Sequence, residues 1–345
     1  MVPDRSRPAP FPARRRVETI APPRIAAYAC AMEPDAPPRP MVAGASGEME
    51  RTMRLIGPED LADVPWRPDQ AQERRFLTAF AGRADMVAAN VRARLLALRA
   101  GDAILPLTVC DGVPPPADPA AGWHGVNSYV VSPRTAYITY ARDELHKLEF
   151  PPLRHAITAL VALMDGRLRA ARMDRIVYVN NWLLSTNLYP AGFTPDLPAL
   201  TRFLANAFPD HSIAFRSLNE VANAGLLHAF DAVGWARLPA RQVYLYAADG
   251  GWARKKNIRW DLRLLRETPL ERVDHAGMRE ADFPRMAELY AMLYLDKYSR
   301  HNPAFTAAFL QRAHANGLLK FQGLRGPDGR LSGVLGTFTH GGIVT

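Results

Sequence analysis

Ile176-Val177-Tyr178-Val179-Asn180-Asn181-Trp182-Leu183-Leu184-Ser185-Thr186-Asn187-Leu188-Tyr189-Pro190 is the stretch on which the reading of this chain turns. It begins as a buried strand, apolar, β-branched and aromatic, and then breaks into Asn, Ser and Thr. Ser212-Ile213-Ala214-Phe215-Arg216-Ser217-Leu218-Asn219 makes the same change, and Arg241-Gln242-Val243-Tyr244-Leu245-Tyr246 supplies a third apolar run. A strand that ends in hydrogen-bonding side chains presents them at its carboxyl end, where open α/β sheets bind ligands.

Working outward, residues 153–172 form an amphipathic pattern with Ile157, Leu160, Val161, Met164 and Leu168 on one face. Helical patterns at 197–207 and 222–233 alternate with the strands, and 235–246 reads as a strand pair or a bent strand. This alternation predicts an α/β (α+β) fold with a mixed sheet and helices on both faces. Upstream, 69–99 has helical spacing interrupted at Gly82, and 103–110 reads as a strand that Pro106 pushes towards an edge or a bulge. Residues 126–131 and 135–140 read as a hairpin around Ser132-Pro133-Arg134. The first domain is thus expected over 53–250, followed by a basic linker over 251–269. There Arg254-Lys255-Lys256 is either a phosphate ligand or a solvated face.

A second unit opens at 270 with a short strand, a helix after Asp282 and a helix from Asn302-Pro303 to Gly317. A hairpin around Gly326-Pro327-Asp328-Gly329 completes it. These elements do not finish an α/β domain, so 270–345 is expected to be incomplete. Residues 1–47, rich in Pro, Arg and Ala, read as an unfolded extension, with Met41 or Met49 as alternative starts.

The chain has 345 residues, 48% hydrophobic and 22% charged, with a formal net charge of +9. No apolar run approaches the length of a membrane span. The basic residues are mostly Arg and are interspersed with acids, which suits a solvated surface or an anionic small-molecule site. Nucleic acid is not the expected partner. Cys30 and Cys110 are the two cysteines, too few for a disulfide framework, and Cys110 reads as a buried free thiol. The expected location is the cytoplasm.

From 270 onward, the strand, helices and Pro327-Asp328-Gly329-Arg330-Leu331-Ser332-Gly333 hairpin resemble the first half of a GNAT acyltransferase fold. The earlier unit, with the 176–190 stretch, the 212–219 run and Arg237-Leu238-Pro239-Ala240-Arg241-Gln242-Val243-Tyr244-Leu245-Tyr246, is similar to the amino-terminal half of tandem, FemAB-like acyltransferases. The resemblance covers roughly 100–345. It implies transfer of an acetyl or aminoacyl group from a thioester or ester donor to a small-molecule or peptide amine, with acetyl-CoA or another acyl-CoA as co-substrate. The alternative is a non-catalytic binding module or remnant. The family holds the CoA pyrophosphate on a Gln/Arg-x-x-Gly-x-Gly/Ala loop before a helix. Here Arg330-Leu331-Ser332-Gly333-Val334-Leu335-Gly336 has Leu335 at the Gly/Ala position and lies in an expected strand, and 185–192 departs from the pattern.

The candidate substrate-binding residues are Asn181, Ser185, Asn187, Tyr189, Arg216 and Asn219. The amide and hydroxyl side chains either orient a substrate or satisfy their own turns. Arg216 either binds an anion bidentately or holds Glu220. Tyr294, as a proton donor to a leaving thiolate, and His301, as a base for the amine, are the catalytic candidates carried by the second unit.

Overall fold

The computed structural model describes the backbone of residues 25–32 and the chain over 53–117, 125–246 and 249–345. Its strands are β1 (Ile25–Met32), β2 (Met53–Ile56), β3 (Arg94–Ala100), β4 (Ala103–Asp111), β5 (Arg175–Val179), β6 (Ser212–Asn219) and β7 (Ala236–Val243), then β8 (Glu271–Val273), β9 (Lys320–Arg325), β10 (Leu331–Thr337), β11 (Thr339–His340) and β12 (Ile343–Val344). The longer helices are α1 (Ala71–Phe80), α2 (Pro151–Ala170), α3 (Leu197–Ala207), α4 (Ala224–Ala232), α5 (Lys256–Glu267), α6 (Asp282–Tyr290) and α7 (Ala307–Ala315).

The fold is mixed α/β. Seven strands form one sheet in the order β2-β3-β4-β5-β6-β1-β7. Within it β5 and β6 pair in parallel, connected through α3, while the other adjacent pairs are antiparallel. Ile176, Val177, Tyr178 and Val179 are all 5% exposed or less, so β5 is covered on both faces, as its unbroken apolar run requires. A second, antiparallel sheet runs β10-β9-β8. One order of elements therefore occurs twice: β2, α1, a helical turn at Ala84–Val87 and the β3-β4 hairpin, then β8, α6, α7 and the β9-β10 hairpin.

The two units share a core. Phe80 of α1 lies 5.3 Å from Phe309 of α7, and Trp182, fully buried, lies 5.3 Å from Phe76 and 4.9 Å from Phe338. Buried Asn90 joins the units through polar groups: its Nδ2 donates to Asn302 O at 2.8 Å and its Oδ1 accepts from Ala304 N at 2.9 Å. Both ends of the Asn90 amide thus have partners, which removes the desolvation penalty that an unpaired amide would carry.

Several local expectations change. Residues 94–100 are a strand, although their Leu- and Ala-rich run suits a helix, because pairing to β2 and β4 overrides propensity. The tight Gly101-Asp102 turn, with Gly101 at φ 62°, was its marker. Within the stretch expected to be unfolded, 25–32 is a strand between β6 and β7. It is an eight-residue apolar run that the surrounding prolines hide when composition is averaged. The rest of 1–47 lies outside the described residues. Pro106 sits in an interior strand rather than at an edge. β5 pairs with β4 only from Leu107 onward, so no ladder bond needs the missing N–H. The hairpin expected over 126–140 is instead a turn leading into a π-helical stretch at Thr135–Thr139. Ser132 Oγ accepts from Thr135 N at 3.0 Å, and Pro133 fits a first helical turn. The linker contains a helix, α5.

Asp165 of α2 ties this π-helical segment down. It meets Arg134 at 2.6 Å, Arg142 at 2.9 Å and Arg169 at 3.1 Å, with its own side chain buried. The hydrogen bond from Arg134 first, then those from Arg169 and Arg142, hold its carboxyl well below the usual range against the opposing effect of burial. The unfolded chain therefore binds this proton more readily than the folded one. The stabilisation is complete above the unfolded-state value of about 3.9 and fades as pH falls below it. Asp165→Asn is expected to lower the urea midpoint at pH 7, with the gap to the parent chain shrinking between about pH 4 and pH 2. A gap independent of pH contradicts this role.

Candidate functional site

At the carboxyl ends of β5 and β6 the sheet departs from regular pairing. Ile213, Phe215 and Leu218 of β6 all enter one core, a spacing of two and then three. Opposite them Cys30 pairs with Phe215 and Tyr28 with Leu218, so Arg216 and Ser217 face a single residue of β1. This bulge turns both side chains to the same face. On the other side of β1, Ala27 pairs with Arg241 and Tyr28 with Pro239, which makes Ala240 the extra residue of β7. Arg216, Ser217, Ala240 and Arg241 then line a common cleft of about 260 Å³, with Tyr178 of β5 beside them. The wall facing them consists of Tyr129, Ala136, Tyr137 and Tyr140, and Asn302 of the second unit completes it.

Two further features mark this edge. Three of the four non-glycine residues with left-handed backbone among the described residues lie here: Asn180 at φ 56°, Leu183 at 58° and Ser217 at 64°. Such a conformation costs an L-residue about 1–2 kcal/mol, and bulky Leu183 is the least suited to it. Ala136 and Tyr137 of the wall sit on π-helical backbone, a geometry that recurs at functional sites.

Arg216 is the electrostatic centre. It is 7% exposed, and its Nη1 donates to Val130 O at 3.0 Å and to Asn181 Oδ1 at 3.1 Å, both neutral acceptors. Among the described residues no carboxylate pairs with it, and Glu220 stays exposed. Its guanidinium lies 5.6 Å from the Tyr178 ring and 5.8 Å from the Tyr129 ring. Burial pushes its pKa down, and Arg241 adds to the effect. Burial pushes the Tyr178 and Tyr137 hydroxyls up, against the pull of Arg216. Arg241 lies 5.3 Å from the Tyr129 ring and donates to Ser185 O. A buried cation without a counter-ion, set among phenol rings, suits a carboxylate-bearing ligand with an apolar or aromatic body.

The polar tips expected at this edge do come together, but most are turned inward. Asn181 is fully buried: its Nδ2 donates to Thr108 Oγ1 at 2.8 Å and Val130 O at 2.9 Å, and its Oδ1 holds Arg216. Tyr189 donates to Arg216 O at 2.7 Å. Asn187 N donates to Ser217 Oγ at 3.0 Å, and Asn187 Oδ1 accepts from Trp182 N, while its buried Nδ2 has no partner. These three position the cleft rather than line it. Ser185 Oγ accepts from Tyr129 OH at 2.9 Å, behind the wall. Asn219 closes a turn by accepting from Val221 N and Ala222 N. Tyr294 is 42% exposed, 4.7 Å from Tyr290, and His301 Nε2 lies 2.9 Å from Asp143 Oδ2. Neither lines the cleft, though Tyr129 N donates to His301 O at 3.1 Å, next to Asn302.

The sequence reading missed Tyr129, Tyr137, Tyr140 and Tyr178. Ser132-Pro133, a helix-start signal, was the one cue to the wall.

The helix end where an acyl-CoA pyrophosphate would sit in the first unit is already occupied by the chain itself. Asp196 Oδ1 accepts from Ala199 N at 3.0 Å, and Pro198 removes one of the first amides. A carboxylate at the site of a diphosphate repels it, so these residues do not fit that group. Compared with family models, curated proteins and solved structures, the chain matches none.

Proposed function

We propose that this chain binds the carboxylate of a small-molecule or peptide amine in the Arg216 cleft, as the acceptor-binding part of a tandem GNAT-like acyltransferase. The observation that carries the proposal is the buried, carboxylate-free Arg216 among four tyrosines. Supporting the family part are the parallel β5-β6 pair, with α3 between its strands, and the recurrence of the strand, helix and hairpin order in both units. In this reading Arg216 fixes the acceptor by its acid group, the tyrosine rings hold its body, and the amine is left at the mouth towards the donor. Acetyl-CoA or another acyl-CoA has no place at the α3 end, so no step is assigned to it there.

That same helix end favours a second reading, a binding module without transferase activity. Calorimetry with acetyl-CoA, and release of free CoA thiol in the presence of an amino-acid amide or dipeptide acceptor, separate the two. The transferase reading expects CoA release that depends on the acceptor. Carboxylate binding with neither acetyl-CoA heat nor CoA release leaves the module and removes the transferase.

A further inference from the structure

No residue of α5 is buried, although the helix is 12 residues long and connects the two units. A helix of that length has little stability of its own in water and relies on something lying against it. Trp260 and Leu264, one turn apart on a single face, are 65% and 66% exposed. Ile258, Leu262 and Leu265 follow a different face, and the two leucines there are only about a third exposed, at 36% and 37%. Lys256, Arg259, Arg263 and Arg266 make a basic face at helical spacing, bordering the Trp260 and Leu264 side. The aromatics nearest in the chain are also uncovered: Tyr246 is 62% exposed and Trp252 41%. Tyr246 and Trp260 each carry a cation: Lys255 lies 5.6 Å from the Tyr246 ring and Lys256 5.5 Å from the Trp260 ring.

We propose that α5, with Tyr246 and Trp252, is a surface anchor that lies in the headgroup layer of an anionic lipid bilayer. Two properties favour lipid over a protein groove. Tyr246, Trp252 and Trp260 present indole and phenol rings, which settle between water and hydrocarbon. The charge is complementary: 251–272 holds seven basic residues against three acidic. Among the described residues no helix is long and apolar enough to cross a membrane, so the contact is parallel to the surface.

The test uses the full chain with vesicles of phosphatidylcholine alone and of phosphatidylcholine with about 30 mol % phosphatidylserine, read by co-sedimentation and tryptophan emission. Binding to the anionic vesicles is expected to be at least about tenfold stronger and to fall away near 0.5 M salt. Trp260→Ser with Leu264→Ser is expected to weaken it about tenfold or more and to remove the blue shift. Arg259→Glu with Arg263→Glu is expected to erase the preference for anionic lipid while circular dichroism stays unchanged. Equal binding to both vesicles, no binding to either, or variants that bind like the parent overturns the proposal. So does self-association through Trp260 and Leu264 without lipid binding, which makes a second copy of the chain the occupant.

Discussion

Arg216→Met is expected to weaken binding of phenylacetate, a minimal aromatic carboxylate, by about 30-fold or more while leaving the fold as stable as before or more so. Removing one side of a desolvated charge pair costs about 2–5 kcal/mol of affinity, and each 1.4 kcal/mol is about tenfold. The stability side of the prediction follows from the geometry. Val130 O still accepts from Asn181 Nδ2, and Asn181 Oδ1 still accepts from Leu183 N, so the substitution orphans neither acceptor. It also replaces a buried cation by an apolar chain of similar length. Arg216→Lys keeps the charge and loses the planar fork, and is expected to fall between the two. Thermal melts alongside phenylacetate titrations check both halves. A Met variant that binds normally, or that unfolds readily, assigns Arg216 a structural role.

Asp282→Ala is expected to destabilise the chain by about 3–5 kcal/mol, the usual result of leaving one member of a buried ion pair behind. Asp282 meets Arg325 through both oxygens, at 2.9 and 2.8 Å, and Arg325 is 3% exposed. Asp282 Oδ2 also accepts from Arg279 N at 2.8 Å, closing the start of α6. Burial raises the Asp282 pKa, but the Arg325 and Arg279 bonds outweigh it and hold the carboxyl below its ordinary value. The pair clamps α6 to β9, and α6 runs into the π-helical stretch at Ala291–Tyr298, just ahead of the cleft's Asn302. The loss is read as a lower urea midpoint, and Asp282→Leu combined with Arg325→Met is expected to recover much of it. A single variant within about 1 kcal/mol of the parent rules out the clamp.

The elements legible from the sequence were those whose signal is local. β5, α3, β6, α4 and the β9-β10 hairpin combine an unbroken apolar run or helical spacing with clear turn residues, and the structure has them where the pattern predicts. β1 was not legible as a strand because its conformation is set by partners distant in sequence, and β3 because its Leu- and Ala-rich run suits a helix. At the site, Arg216 stood out because a cation ending an apolar strand is costly wherever it points. What it points at did not stand out. The bulges at Arg216-Ser217 and at Ala240 depend on pairing with β1, and they, not the strands' own alternation, turn Ser217 and Arg241 to the face that Arg216 occupies. The tyrosine wall was hidden for another reason. Thr135-Ala136-Tyr137-Ile138-Thr139-Tyr140 has strand-like composition, and only the Ser132 hydroxyl and the Asp165 cluster make it helical. Asn181, Asn187 and Tyr189 showed the reverse, with polar character that the fold spends on its own backbone.

The central claim is that Arg216 waits for an acid group. A paired titration of the full chain with phenylacetate and with phenylacetamide, its neutral isostere, followed through the Arg216 Nε–Hε resonance, tests it most directly. The account predicts a saturable shift with the acid at about millimolar concentration or below, no comparable shift with the amide, and loss of the response in Arg216→Met. An Arg216 resonance that both compounds leave unmoved, or move alike, contradicts it.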